Sequence, residues 1–87
     1  MEINYTKKAL KDRSYWKNKG DLSIQKKITK LIINIEEDPY SGIGKPEALK
    51  YDLSGFWSRR INREHRLIYR VFEEKGVIEI HSLKGHY

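Results

Sequence analysis

Between Asp21 and Asp38 the apolar residues Ile24, Ile28, Leu31, Ile32 and Ile35 recur at spacings of three and four, the clearest helical stripe in the chain. Asp21 is placed as its N-cap, and Pro39 ends it by disfavouring helical geometry at Asp38. The stripe reads as core, not as a cofactor box. Upstream, Ile3 and Tyr5 alternate with polar residues in Glu2 to Tyr5, which predicts a short first strand. Thr6 then caps an earlier helix that runs to about Lys19, with Gly20 as its stop. That helix is only weakly amphipathic, with Ala9, Trp16 and Tyr15 marking its buried side.

From Pro39 to Lys50 the pattern is that of a loop. Its glycines match no phosphate-binding fingerprint. After Gly55 the period changes to two. In Phe56 to Asn62, Trp57 and Ile61 share one face while Ser58 and Arg60 share the other. In His65 to Phe72, Leu67, Tyr69 and Val71 oppose Arg66, Ile68 and Arg70. Asn62-Arg63-Glu64 suits a hairpin, and Glu73 to Gly76 is a second turn before a last strand from Val77 to about Leu83. The order strand, helix, helix, three strands predicts an α+β fold, with two N-terminal helices on one face of a small, mainly antiparallel sheet. The inner face meets the isoleucine stripe. The outer face carries Arg60 and Arg66 and lies open.

Eighty-seven residues make one small domain, 1–87, with a lean core: 38% of residues are hydrophobic and 34% charged. No apolar run reaches the length of a membrane span, and no secretory apolar stretch follows Met1. The absence of cysteine excludes disulfides and thiolate zinc sites, and His65, His81 and His86 lack metal-motif spacing. The expectation is a cytoplasmic protein with neither metal nor cofactor. Eighteen Lys and Arg against twelve Asp and Glu give a net charge of +6. Of this, Lys45 to Arg70 contributes +4, with Lys45, Lys50, Arg59, Arg60, Arg63, Arg66 and Arg70 set against Glu47, Asp52 and Glu64. Interleaved with Phe56, Trp57 and Tyr69, this stretch has the footprint of a nucleic-acid surface. An acidic protein partner fits the same charge.

If Glu47, Arg60, Arg66 and His86 converge on the open face, they supply a proton acceptor, a proton donor and guanidinium groups for an anion. RNA carries its own nucleophile, the 2′-hydroxyl, so no Ser or Cys is required. Glu47 would act as general base, His86 as general acid, and Arg66, helped by Arg60, would stabilise the charge on the pentacoordinate phosphorus. Tyr87 would stack on a base or bind a phosphate. A terminal His-Tyr pair leaving an apolar strand is consistent with such a use.

Four segments in this order resemble one family: Gly44-Lys45-Pro46-Glu47-Ala48-Leu49-Lys50; Leu53-Ser54-Gly55-Phe56-Trp57-Ser58-Arg59-Arg60-Ile61; Glu64-His65-Arg66-Leu67-Ile68-Tyr69; and His86-Tyr87. They are similar to the YoeB/Txe toxins of the RelE-like superfamily of bacterial toxin–antitoxin ribonucleases. The resemblance runs almost end to end, with Ala48 standing where a proline is expected. It implies a compact α+β ribonuclease fold and metal-independent cleavage of mRNA in the A site of the 30S subunit. It implies neutralisation by a YefM/Axe-type antitoxin, with the pair binding operator DNA to repress its own operon. Carried over by position, the base falls on Glu47, the catalytic arginine on Arg66 and the acid on His86, with Lys45, Lys50, Arg60 and Tyr87 in supporting, RNA-binding roles. The alternative is a non-catalytic nucleic-acid-binding module or autorepressor subunit. Association of the free chain into a homodimer is left open.

Overall fold

In the computed structural model, residues 1–86 are described. Strand β1 (Glu2–Tyr5) leads into helices α1 (Lys7–Lys19) and α2 (Leu22–Glu37), followed by β2 (Glu47–Ala48), β3 (Phe56–Arg60), β4 (Arg66–Phe72) and β5 (Val77–Ser82). The caps form where the side chains predict them. Thr6 accepts from the Ala9 N–H, Asp21 accepts from the Ile24 N–H, and Gly20 closes α1 in the left-handed region at φ 73°.

The strands form one sheet in the order β1-β5-β4-β3-β2. The pairs β2–β3, β3–β4 and β4–β5 are antiparallel, while β1 runs parallel to β5. The predicted α+β architecture holds, with β2 as an addition: the presumed loop from Pro39 to Lys50 contains two residues that pair with β3. The helices cover one face. Ile24, Ile28, Leu31 and Ile35 pack with Leu67, Tyr69, Ile78, Ile80 and Leu83, all in one buried cluster. Each such side chain removed from water contributes about 1.5–3 kcal/mol. Tyr15 departs from expectation, being 40% exposed, while Asp12 on the same helix is buried. Among the described residues no helix is long and apolar enough to cross a membrane.

Arg59 overturns part of the sequence reading. Counted with the basic surface, it is instead fully buried, as is Tyr69 beneath it. Its alternation with Trp57 and Ile61 puts it on the helix-facing side, where a guanidinium must satisfy its donors inside the protein. It does so. Nε donates to the Tyr69 hydroxyl (3.1 Å), Nη1 to Asn34 Oδ1 (2.6 Å) and the Ile43 carbonyl (2.8 Å), and Nη2 to the carbonyls of Asp38 (2.8 Å) and Ser41 (3.1 Å). Five N–H groups meet five acceptors. Burial pushes the Tyr69 phenol up, against the opposing pull of Arg59. The phenol donates to the Pro39 carbonyl at 2.5 Å. The segment 38–43 is thereby tied to the sheet from below.

Gly42 and Gly44 let that segment approach. A Cβ on Gly44 would lie 2.7 Å from Leu31 Cδ2, and its φ is +79°. The Gly44 carbonyl accepts from the Arg60 N–H at 2.6 Å. These two contacts fix where the chain enters β2.

Candidate active site

Lys45 follows Gly44 with φ 51°, an unusual value for a side-chain-bearing residue and doubly so before proline. Two consecutive left-handed residues swing the chain so that Glu47 comes into register with Ser58. Ser58 lies on the open face of β3, so Glu47 does as well. Two residues along β3 is Arg60, whose cross-strand partner is Arg66 on β4. Lys45, Pro46, Glu47, Ser58, Arg60 and Arg66 line one open cleft of about 490 Å³. Strands lie about 4.8 Å apart, so these long side chains share one space. Three cations and one carboxylate face it.

Arg60 is exposed, whereas Arg66 is half-buried. Arg66 Nη1 donates to the Asn62 carbonyl at 3.1 Å and the His65 carbonyl at 3.4 Å, which braces the guanidinium against the hairpin. Lys50 does not line this cleft. It sits in an adjoining groove of about 280 Å³ that shares Glu47.

His86 reaches the site along the chain. Past the end of β5, the Gly85 carbonyl accepts from the Arg66 N–H at 2.8 Å. His86, the next residue, therefore leaves the sheet beside Arg66. Its ring is exposed, and the residues lining the cleft do not include it. Tyr87 lies outside the described residues.

On the same open face Arg70 lies over the rings of Phe56 (5.2 Å) and Phe72 (5.1 Å), and Phe56 stacks near His81 at 5.1 Å. Among the described residues no three His, Asp or Glu side chains are grouped to hold a metal ion.

A family model described as the YoeB-like toxin of bacterial type II toxin–antitoxin systems matches residues 5–87. The chain belongs to this family. It is 45% identical to Toxin YoeB of Streptomyces coelicolor over 78 residues, covering 90% of this chain and 92% of the relative. The YoeB/ParE toxin from Agrobacterium tumefaciens superposes with a TM-score of 0.93 at 39% identity, over 100% of both chains. Two structures from Staphylococcus aureus align at 42% identity over 100% of this chain and 98% of theirs. One is a heterotetrameric YoeB–YefM complex (TM-score 0.86) and the other a YoeB dimer (0.87).

Within this YoeB-like chain, Lys45, Glu47, Arg60 and Arg66 line the cleft as the sequence suggests, Lys50 and His86 do not, and the basic charge is shared with a second surface. Helices α1 and α2 carry Lys7, Lys8, Lys11, Arg13, Lys17, Lys19, Lys26, Lys27 and Lys30 against Asp12, Glu36, Glu37 and the cap Asp21, a net charge of +5. This helical layer, on the side away from the cleft, is a second basic surface. A count by helix instead of by strand would have found it. Asn34 was also missed: it accepts from both Arg59 and the Ile43 N–H, and nothing in its helical spacing marks it.

Proposed function

We propose that this YoeB-like toxin is a ribosome-dependent endoribonuclease that cleaves mRNA in the A site by 2′-hydroxyl attack, with no metal in the chemical step. Glu47 takes the 2′-hydroxyl proton and the 2′-oxygen attacks phosphorus. The bond to the 5′-oxygen breaks, and His86 protonates that oxygen. Arg66, with Arg60, holds the added negative charge of the pentacoordinate state. Lys45 and Lys50 orient the backbone phosphates, and Tyr87 contacts a base or phosphate. The products are a 2′,3′-cyclic phosphate and a 5′-hydroxyl.

One observation carries this reading: Glu47, Arg60 and Arg66 line a single cleft, and the chain delivers His86 beside Arg66. A binding module needs neither a base nor an acid at an anion site. The stack of Arg70 with Phe56 and Phe72 supports single-stranded RNA as the occupant, since bases stack on such faces. The basic helical layer supports docking on a polyanionic surface such as the ribosome.

The whole of residues 1–87 acts as one domain in the cytoplasm under this reading. The partner is a YefM-type antitoxin, as in the S. aureus complex, and the pair represses its own operon by binding operator DNA. The free toxin pairs with a second copy, as the S. aureus protein does. The test is expression in a bacterial host. Growth and protein synthesis should stop on induction of wild type and continue with Glu47→Gln plus His86→Gln, and an acidic antitoxin supplied in trans should restore growth. Arrest by the double variant equal to that by wild type would leave the non-catalytic module as the better account.

A further inference from the structure

Strand β5 ends at Ser82, yet residues 83–85 are bonded at nearly every backbone group. Asp12 Oδ2 accepts from the Leu83 N–H at 2.9 Å, and Trp16 Nε1 donates to the Leu83 carbonyl at 2.9 Å. Ser82 Oγ donates to the Lys84 carbonyl at 3.2 Å. The Gly85 N–H donates to His65 Nδ1 at 2.8 Å, while its carbonyl accepts from the Arg66 N–H. Side chains from α1, Ser82 and His65, together with the Arg66 backbone, thus hold the chain beyond β5.

His65 closes this grip nearest to His86. Its ring stands edge-on to Trp16, with centroids 4.8 Å apart at 78°, so its orientation is set by packing. An acceptor at Nδ1 requires the neutral tautomer carrying its proton on Nε2. Gly85 has φ +83°, while a Cβ there would meet nothing within 4 Å. Glycine is therefore required for the left-handed turn and not for space. That turn sets the direction in which His86 departs.

We propose that His65 is a positioning residue for His86: by holding the Gly85 N–H, it fixes the turn that aims the terminal imidazole at the Arg66 side of the cleft. This rests on the reading of His86 as the general acid. His65 itself touches no substrate and transfers no proton.

Two variants separate acceptor from ring. His65→Phe keeps a ring against Trp16 and removes the acceptor, whereas His65→Asn restores an acceptor oxygen and removes the ring. In ¹⁵N-labelled protein, wild type should show a trans-hydrogen-bond coupling between the Gly85 nitrogen and His65 Nδ1, together with slow Gly85 amide exchange. His65→Phe should remain folded by circular dichroism but lose Gly85 protection, and the His86 backbone should become mobile. Its kcat on programmed ribosomes should fall about 10²-fold with KM nearly unchanged, the scale expected from a misplacement of about 1 Å. His65→Asn should recover most of both the protection and the kcat. A Gly85 amide as protected in His65→Phe as in wild type overturns the proposal, as does an undiminished kcat once that amide is free. Should His86→Gln cleave at the wild-type rate, the acid assignment falls, while Gly85 protection and His86 order still decide the latch by themselves.

Discussion

Arg60 and Arg66 stand directly opposite each other across β3 and β4 on the open face of the sheet. Like charges in register destabilise a strand pair, by an amount comparable to the 0.2–1 kcal/mol that opposite charges contribute. An anion between them reverses that sign. Replacing Arg66 by Ala should therefore leave stability within about 0.5 kcal/mol of wild type. Single-turnover cleavage on programmed ribosomes should fall by a factor of about 10²–10³. Cleavage at wild-type speed would show that the cleft is not where the phosphate sits.

Arg59, the neighbour of Arg60, should behave oppositely. Arg59→Ala strands the carbonyls of Asp38, Ser41 and Ile43 beside a buried phenol. The cost should be on the order of 3–5 kcal/mol, read from the urea midpoint. Arg59→Lys should recover little of it, because one ammonium cannot reach five acceptors. A small effect would mean that segment 38–43 holds itself in place.

The same segment has a pH signature. Tyr40 donates to Glu73 and its phenol is pushed up to about 12, chiefly by that bond. A raised pKa means the stabilisation is complete below pH 10 and is lost as pH rises towards 12. Asp38 behaves in the other sense. Bonds from Ser41 and the Tyr40 N–H hold its carboxyl below the usual range, so its contribution is present above about pH 4 and is lost on acidification. The stability gap between wild type and Tyr40→Phe should narrow between pH 10 and 12, and that with Asp38→Asn should narrow below pH 4. Parallel curves in either comparison would deny the bond its energetic role.

The tail divides sharply at Leu83. Leu83 is fully buried and bonded to Asp12 and Trp16, whereas His86 is exposed. Deleting residues 86–87 should shift Tm by no more than a few degrees while eliminating cleavage. Deleting 83–87 should lower Tm by more than roughly 10 °C, since a lost core leucine alone costs about 2–5 kcal/mol in a domain this size. Equal effects from the two deletions would contradict this division.

What the sequence disclosed follows from periodicity. The isoleucine stripe and the strict alternation of β3 and β4 are enough to orient Arg60 and Arg66, because a residue's face follows from its parity once one face is buried. Glu47 was legible by residue type and neighbourhood, but its pairing with Ser58 was not: a two-residue strand has no period to read. Arg59 shows a second limit. Parity put it on the inner face, yet its partners come from residues up to 25 positions away in the chain, at no regular spacing. The grip on the tail was hidden for the same reason. Asp12, Trp16 and His65 meet residues 83–85 across 20 to 71 positions of sequence. Charge counted along the chain gathers at Lys45–Arg70, whereas counted by layer the two helices are comparably basic.

The ends of the cut RNA test the central claim most directly. Programmed ribosomes treated with the toxin, and the released fragments analysed by mass spectrometry, should yield a 2′,3′-cyclic or 3′-phosphate on the upstream fragment and a 5′-hydroxyl on the downstream one. Excess chelator should not change those ends, beyond the magnesium the ribosome itself requires. A 3′-hydroxyl facing a 5′-phosphate would mean that water, not the neighbouring 2′-hydroxyl, is the nucleophile, and would contradict the roles given to Glu47, Arg66 and His86.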